Sequence, residues 1–155
     1  MTILAACSTR GHDILPDVTP ALDIVDETFL AVPASTVAAV FAEPASWTSY
    51  WPDLVLEVYT DRGDKGLRWT VRGALVGTME VWLEPVLDGT LLHYFLRATP
   101  ADATGQPLPL RPKDVRREFD RRARAAKAIA LGLKGILEDG RPPGEPPRTA
   151  DEGTR

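Results

Sequence analysis

Few side chains in this 155-residue chain could move a proton near neutral pH or ligate a soft metal; it holds two histidines and one cysteine. His12 lies near Cys7 and Asp13 in the N-terminal stretch, too sparse a set for a metal site. His93 sits in the alternating run "LLHYFLRA", which reads as a strand. The strand register turns it outward beside Glu84, as a surface cross-strand pair. Tyr94 then points inward, where a phenol could donate a proton or orient a carbonyl. A buried tyrosine satisfied by a neighbour is the commoner arrangement, and Tyr94 is a weak catalytic candidate. Asp26, Glu27 and Asp53 are further polar residues whose side the pattern leaves open. No phosphate loop, nucleophile elbow or dinucleotide fingerprint occurs. No metal and no cofactor is therefore expected.

The second group is aromatic. "EPASWTSYWPDL" places Trp47, Tyr50 and Trp51 within five positions, immediately before a strand-like run. Aromatics crowded there either wall a hollow or fill a core. The third group is basic. Between Arg111 and Lys134 nine basic and three acidic residues give +6, which leaves −10 for the rest of a chain of net charge −4. Glu118 to Arg122 and Asp120 to Arg124 are four apart on a helix, so this run reads first as a solvated face laced with weak ion pairs. Its excess charge leaves room for weak contact with an anionic surface or an acidic partner. The acidic balance of the whole argues against nucleic acid as a partner.

These residues must be positioned by recognisable elements. "LDIVDETFLAV", Leu22 to Val32, alternates as a half-buried strand. Pro33 opens a short amphipathic helix on Val37, Val40 and Phe41, which Glu43-Pro44 breaks. "ASWTSYW" is a second short helix or an ordered loop. Four strands follow, over Asp53–Thr60, Leu67–Arg72, Leu75–Glu84 and Leu91–Ala98, joined by turns at "RGDK", "RGA" and "LDGT". Such links predict an antiparallel meander.

A two-residue turn at Asp88-Gly89 would pair Glu84 with His93, Trp82 with Phe95 and Glu80 with Arg97. Val81, Leu83, Leu92, Tyr94 and Leu96 then share the other, apolar face. A Gly63-Asp64 turn would place Leu54, Leu56 and Val58 with Leu67, Trp69 and Val71. A bulge at Gly73-Ala74 joins the hairpins, with Tyr59, Arg68, Glu80 and Arg97 laddered outside and Trp69, Met79 and Tyr94 inside. Trp82 and Phe95 would lie opposed on the outer face, a possible homodimer contact. After a Pro-rich connection, Val115, Phe119, Ala123, Ala126, Ala130, Leu133 and Leu137 draw one stripe along a helix from Pro112 to about Glu138.

Composition agrees with one folded unit. Apolar residues make up 44% and charged residues 26%, the balance of an ordinary globular chain. No run is long enough for a membrane span, and the lone cysteine fits a reducing, cytoplasmic setting. "LAAC" imitates a lipoprotein cleavage box but lacks its flanking regions. The expected boundaries are a loose arm over residues 1–20, a domain over 21–139 and a disordered Pro-rich tail over 140–155.

Strand, two short helices, meander and long C-terminal helix: this order resembles the START-like polyketide cyclase/dehydrase and lipid-transport superfamily (SRPBCC), an α+β helix-grip fold. "VPASTVAAVFAEPASWTSYWP" looks like that family's exit from the first strand and Trp-Pro approach to the second. "RWTVRGALVGTMEVWLEPVLDGTLLHYFLRA" looks like the meander of a bacterial subgroup. Five strands are read here where six or seven are usual, so a short strand near residues 99–110 is either missing or unread.

The resemblance implies a curved sheet wrapped around the long helix, with a cavity between them for a small hydrophobic molecule such as a lipid, sterol or polyketide. Trp47, Tyr50 and Trp51 would line its mouth. Leu56, Val58, Trp69, Val71, Met79, Val81, Leu92, Tyr94 and Leu96 would line its sheet side, and Phe119, Ala123, Ala126 and Ala130 its helix side. Three functions stay open: a binding or transport protein, a polyketide aromatase/cyclase or dehydratase, and a protein-interaction module without a working cavity. The scarcity of inward polar groups favours binding over catalysis.

Overall fold

A computed structural model describes residues 19–142, 144 and 145. The readings of the arm, Cys7, His12 and most of the tail lie outside the described residues. The elements are β1 (Leu22–Leu30), α1 (Ala34–Ala42), α2 (Pro44–Tyr50), β2 (Leu54–Asp61), a 3-10 turn (Gly63–Lys65), β3 (Gly66–Gly73), β4 (Leu75–Val86), β5 (Gly89–Pro100) and α3 (Pro112–Leu137). The sheet order is β1-β5-β4-β3-β2, antiparallel throughout. The meander is as expected, with β1 closing onto the last strand.

Alternation decides the two faces. Leu22, Ile24, Trp69, Val71, Met79, Val81, Leu83, Leu92, Tyr94 and Leu96 are all buried on the inner side. "ASWTSYW" resolves into α2, with Pro44 in its first turn and the Glu43 carboxylate accepting from the Ala45 amide. No sixth strand forms among the described residues: β5 runs on to Pro100, and one bridge joins Ala101 to Pro107.

Turn positions differ from the expectation in instructive ways. Leu87 and Asp88, not Asp88 and Gly89, make the β4–β5 turn, with Leu87 at φ 52°. Glu84 therefore faces Leu91, Trp82 faces His93 and Glu80 faces Phe95. Partners move by two residues, so the faces survive. Gly89 is used for packing: a Cβ there would lie 2.4 Å from the Leu30 carbonyl oxygen. In β2–β3 the expected pairs Leu56 with Val71 and Val58 with Trp69 form, and a bulge at Tyr59 absorbs the longer 3-10 turn.

At Gly73, φ is +104° and a Cβ would stand 2.7 Å from the Asp53 carbonyl oxygen. The extra residue expected at Gly73-Ala74 is present, as a sharp reversal, so that Trp69 faces Met79 and Arg68 faces Glu80, and the Ala74 amide donates to Asp53 O at 3.1 Å. On the outer face Arg68 and Arg62 both pair with Glu80, at 3.0 and 2.7 Å. Arg97 leaves the expected ladder and lies 3.7 Å from Asp23.

Helix α3 runs along β1. Lys127 Nζ donates to Glu27 O and Thr28 Oγ1, each at 3.0 Å, and pairs with Asp26 at 2.8 Å. Lys134 Nζ donates to Phe29 O at 2.9 Å, and the Ala31 amide donates to Glu138 Oε1 at 2.7 Å. These contacts fix the height of the helix over the sheet. Its buried residues are Arg122, Ala126, Ala130 and Leu133. Arg122 was expected on the solvated face; it occupies the inward position one turn before Ala126, while Ala123 is only half buried.

Candidate functional site

The site begins where α2 ends. Trp51 closes the helix through its amide, which donates to Trp47 O at 2.8 Å. Pro52 follows, and Asp53 is pinned by the Ala74 amide. That pinning drives the Trp51 ring inward, where it is 4% exposed. It lies nearly parallel to Tyr94 of β5, with centroids 6.3 Å apart and planes 11° from parallel. Tyr50 meets Trp51 edge-on at 5.6 Å.

Opposite stands α3. Arg122, 6% exposed, donates from Nη1 and Nη2 to the two carboxylate oxygens of Asp53, at 2.9 and 2.5 Å, and from Nε to Glu118 Oε1 at 2.8 Å. Arg121 adds contacts of 2.7 Å to Glu118 and 3.6 Å to Asp53. The result is a formally neutral quartet bridging the α2–β2 junction to the helix. A hydrogen bond from Arg122 holds the Asp53 carboxyl below its usual 3.8. Burial pushes Glu118 upward, but hydrogen bonds from Arg121 and Arg122 outweigh it and leave Glu118 below 4.5. Burial first of all raises the Tyr94 phenol well above 10, so it stays protonated.

Two spaces meet at this point. An outer pocket of about 290 Å³ is lined by Tyr50, Trp51, Pro52, Asp53, Leu54, Tyr94, Arg121, Arg122 and Ala125. An inner void of about 10 Å³ lies among Phe41, Trp51, Val81, Leu92, Tyr94, Ala126, Ile129 and Ala130. Trp51 and Tyr94 border both. The inner void has room for one water-sized group. The guest-sized hollow expected between sheet and helix is reduced to this void, walled by Ala126 and Ala130 of α3 and by Tyr94 and Leu92 of β5.

Of the residues expected to line it, Trp51, Val81, Leu92, Tyr94, Ala126 and Ala130 do converge on the inner void, and Tyr50 joins the outer pocket. Trp69, Val71, Met79 and Leu96 are packed solid. Trp47 packs edge-on against Trp69 at 5.6 Å and donates from its indole to Phe41 O at 2.7 Å, a core role rather than a mouth. Leu56 and Ala123 are half buried against the core. Val58 is 36% exposed, because β2 is an edge strand beyond the helical cover. Phe119 turns to a separate groove with Ala21, Leu110, Pro112, Val115 and Arg116.

Sequence reasoning missed Arg122 as a site residue and left the side of Asp53 open; the structure turns Asp53 to the pocket wall. The signal for Arg122 was there: it precedes Ala126, Ala130 and Leu133 by four, eight and eleven positions, on the same helical face. His93 also departs from expectation. It lies on the outer face beside Glu84, yet it is 6% exposed, stacked on Trp82 at 4.3 Å. Its ring nitrogens meet Glu27 at 3.0 Å and Glu84 at 2.9 Å. Trp82 and Phe95 flank it half buried. Asp120 pairs with Arg116 rather than Arg124.

No family model matches this sequence, and no curated protein does. Solved structures do match by shape. The Aha1 dimer from Colwellia psychrerythraea aligns over 78% of this chain and 99% of that one at 12% identity, with a TM-score of 0.55. Protein Ms6760 from Mycobacterium smegmatis aligns over 76% and 91%, also at 12% identity and TM-score 0.55. The di-domain ARO/CYC StfQ from the steffimycin biosynthetic pathway aligns at 17% identity and TM-score 0.52, over 74% of this chain and 49% of that one. This chain thus spans about half of StfQ. At such identities the likeness establishes the fold alone: an α+β helix-grip architecture, a curved antiparallel sheet with short helices after its first strand and a long C-terminal helix. No helix among the described residues is long and apolar enough to cross a membrane.

Proposed function

We propose that this protein binds a small, predominantly apolar molecule in the outer pocket between the α2–β2 junction and α3, with residues 21–139 as the folded unit. The observation that carries this reading is the placement of Trp51 and Tyr94, whose rings border both the outer pocket and the inner void. Each 100 Å² of ligand surface withdrawn from water against such walls contributes about 2.5 kcal/mol. The helix-grip fold, shared with an aromatase/cyclase di-domain, supports the same reading. The guest sits at the mouth rather than enclosed. Native mass spectrometry of the purified protein, before and after denaturation, tests this. A recurring small apolar adduct, reduced in Trp51→Ala, supports binding; an adduct unaffected by that change places the guest elsewhere.

A second reading, cyclase or dehydratase chemistry, is favoured by the presence of Tyr94 and Arg122 on one pocket wall. Because burial keeps the phenol protonated, Tyr94 would serve as a donor to a carbonyl and not as a base. Tyr94→Phe should then abolish turnover of a polyketide-like substrate; an unchanged rate removes Tyr94 from that chemistry.

A further inference from the structure

The outer pocket also carries a polar preference. A guanidinium offers five N–H groups, and three of those on Arg122 are engaged: Nε by Glu118, and one each on Nη1 and Nη2 by Asp53. Among the described residues the other two have no acceptor, on a side chain 6% exposed that forms part of the pocket wall. Tyr94 lines the same pocket. Its phenol carries an O–H that can donate to a guest in that pocket. The wall therefore presents donors, held in place by the ion pairs behind them.

The charge balance selects among acceptors. Arg121 and Arg122 are matched by Asp53 and Glu118. A carboxylate entering this neutral quartet would bring an uncompensated charge out of water and close to two carboxylates, which is costly at a half-buried site. A carbonyl oxygen accepts the same hydrogen bonds and adds no charge. A hydrocarbon of the same shape leaves the donors dry and unpaired.

Resting on the binding proposed above, we infer that Arg122 and Tyr94 make this pocket selective for a neutral carbonyl on an apolar, aromatic-sized body, a ketone or ester, over the matching carboxylate or hydrocarbon. Calorimetric titration of the full chain with 2-acetylnaphthalene, 2-naphthoate and 2-ethylnaphthalene tests it. The ketone should bind about ten-fold more tightly than either analogue, the value of one well-made hydrogen bond. Tyr94→Phe should erase most of that margin, bringing the affinities of the ketone and of 2-ethylnaphthalene on the variant close together. Arg122→Lys, which keeps the charge but loses the fork, should reduce the margin as well, and a circular dichroism melt confirms that each variant is folded. Equal affinity for all three probes would overturn the carbonyl preference and leave the pocket reading intact. Preference for 2-naphthoate would overturn it in favour of an anion site. Failure of all three to bind would overturn the pocket reading and this inference with it.

Discussion

Asp53 and Arg122 lie 69 positions apart in sequence and meet through two N–H to O contacts of 2.9 and 2.5 Å. They tie the turn that carries Trp51 to the helix that carries Ala126. Because Trp51 and Tyr94 border both the outer pocket and the inner void, this pair sets the distance between the walls. Asp53→Asn should lower stability by about 1–2 kcal/mol, after allowance for the part-exposed carboxylate, as measured by chemical denaturation. An unchanged midpoint would show that the pair holds nothing.

The same network fixes an acid response. Asp53, Glu118 and Glu138 each have a folded-state pKa below their ordinary 3.8, 4.5 and 4.5. A depressed carboxylate contributes stability above its unfolded pKa and loses it as pH falls through the folded value. Stability should therefore be level from neutral pH down to about 5 and fall steadily below about 4.5. Asp53→Asn should flatten part of that fall. Loss of stability beginning above pH 6 would point to other groups.

The alanine segment of α3 has almost no slack beneath it, with about 10 Å³ of void against Tyr94 and Leu92. Ala126→Leu should overpack this space and cost about 1–3 kcal/mol in denaturant unfolding. A gain in stability would instead reveal usable room inside.

Removing the partition should have the opposite signature. Trp51→Ala is expected to cost about 3–5 kcal/mol and to join the inner void to the outer pocket. Xenon binding, followed by 129Xe chemical shift, should rise in the variant if it stays folded. No rise would mean that the core collapses into the gap.

Much of this architecture is legible in the sequence, and the illegible part has physical causes. Alternation placed Val81, Leu83, Leu92, Tyr94 and Leu96 on one face even though the β4–β5 turn was misplaced by a residue, because the pairing slipped by two and preserved the pleat. Gly89 misled: its role is close approach to Leu30, which only the tertiary fold reveals. His93 was placed on the correct face, but its burial depends on Trp82, Phe95 and two glutamates from separate strands. Small residues at Ala126 and Ala130 are compatible with either a hollow or a close fit, and the lysine and glutamate anchors of α3 on β1 decide for the fit. Spacing puts Arg122 on the face of Ala126 and Ala130, but its pairing with Asp53 has no local signal, since the partners come together only once sheet and helix are assembled.

A guest in the pocket floored by Trp51 and Tyr94 must perturb the groups that line it. The most direct measurement is a ¹H–¹⁵N shift map of the labelled protein titrated with 2-acetylnaphthalene. Saturable movement of the Trp51 indole N–H together with the amides of Tyr50, Asp53 and Ala125 is the expected result. A still Trp51 signal, with movement confined to the Leu110–Phe119 groove or to Trp82 and Phe95 on the outer sheet face, would contradict it.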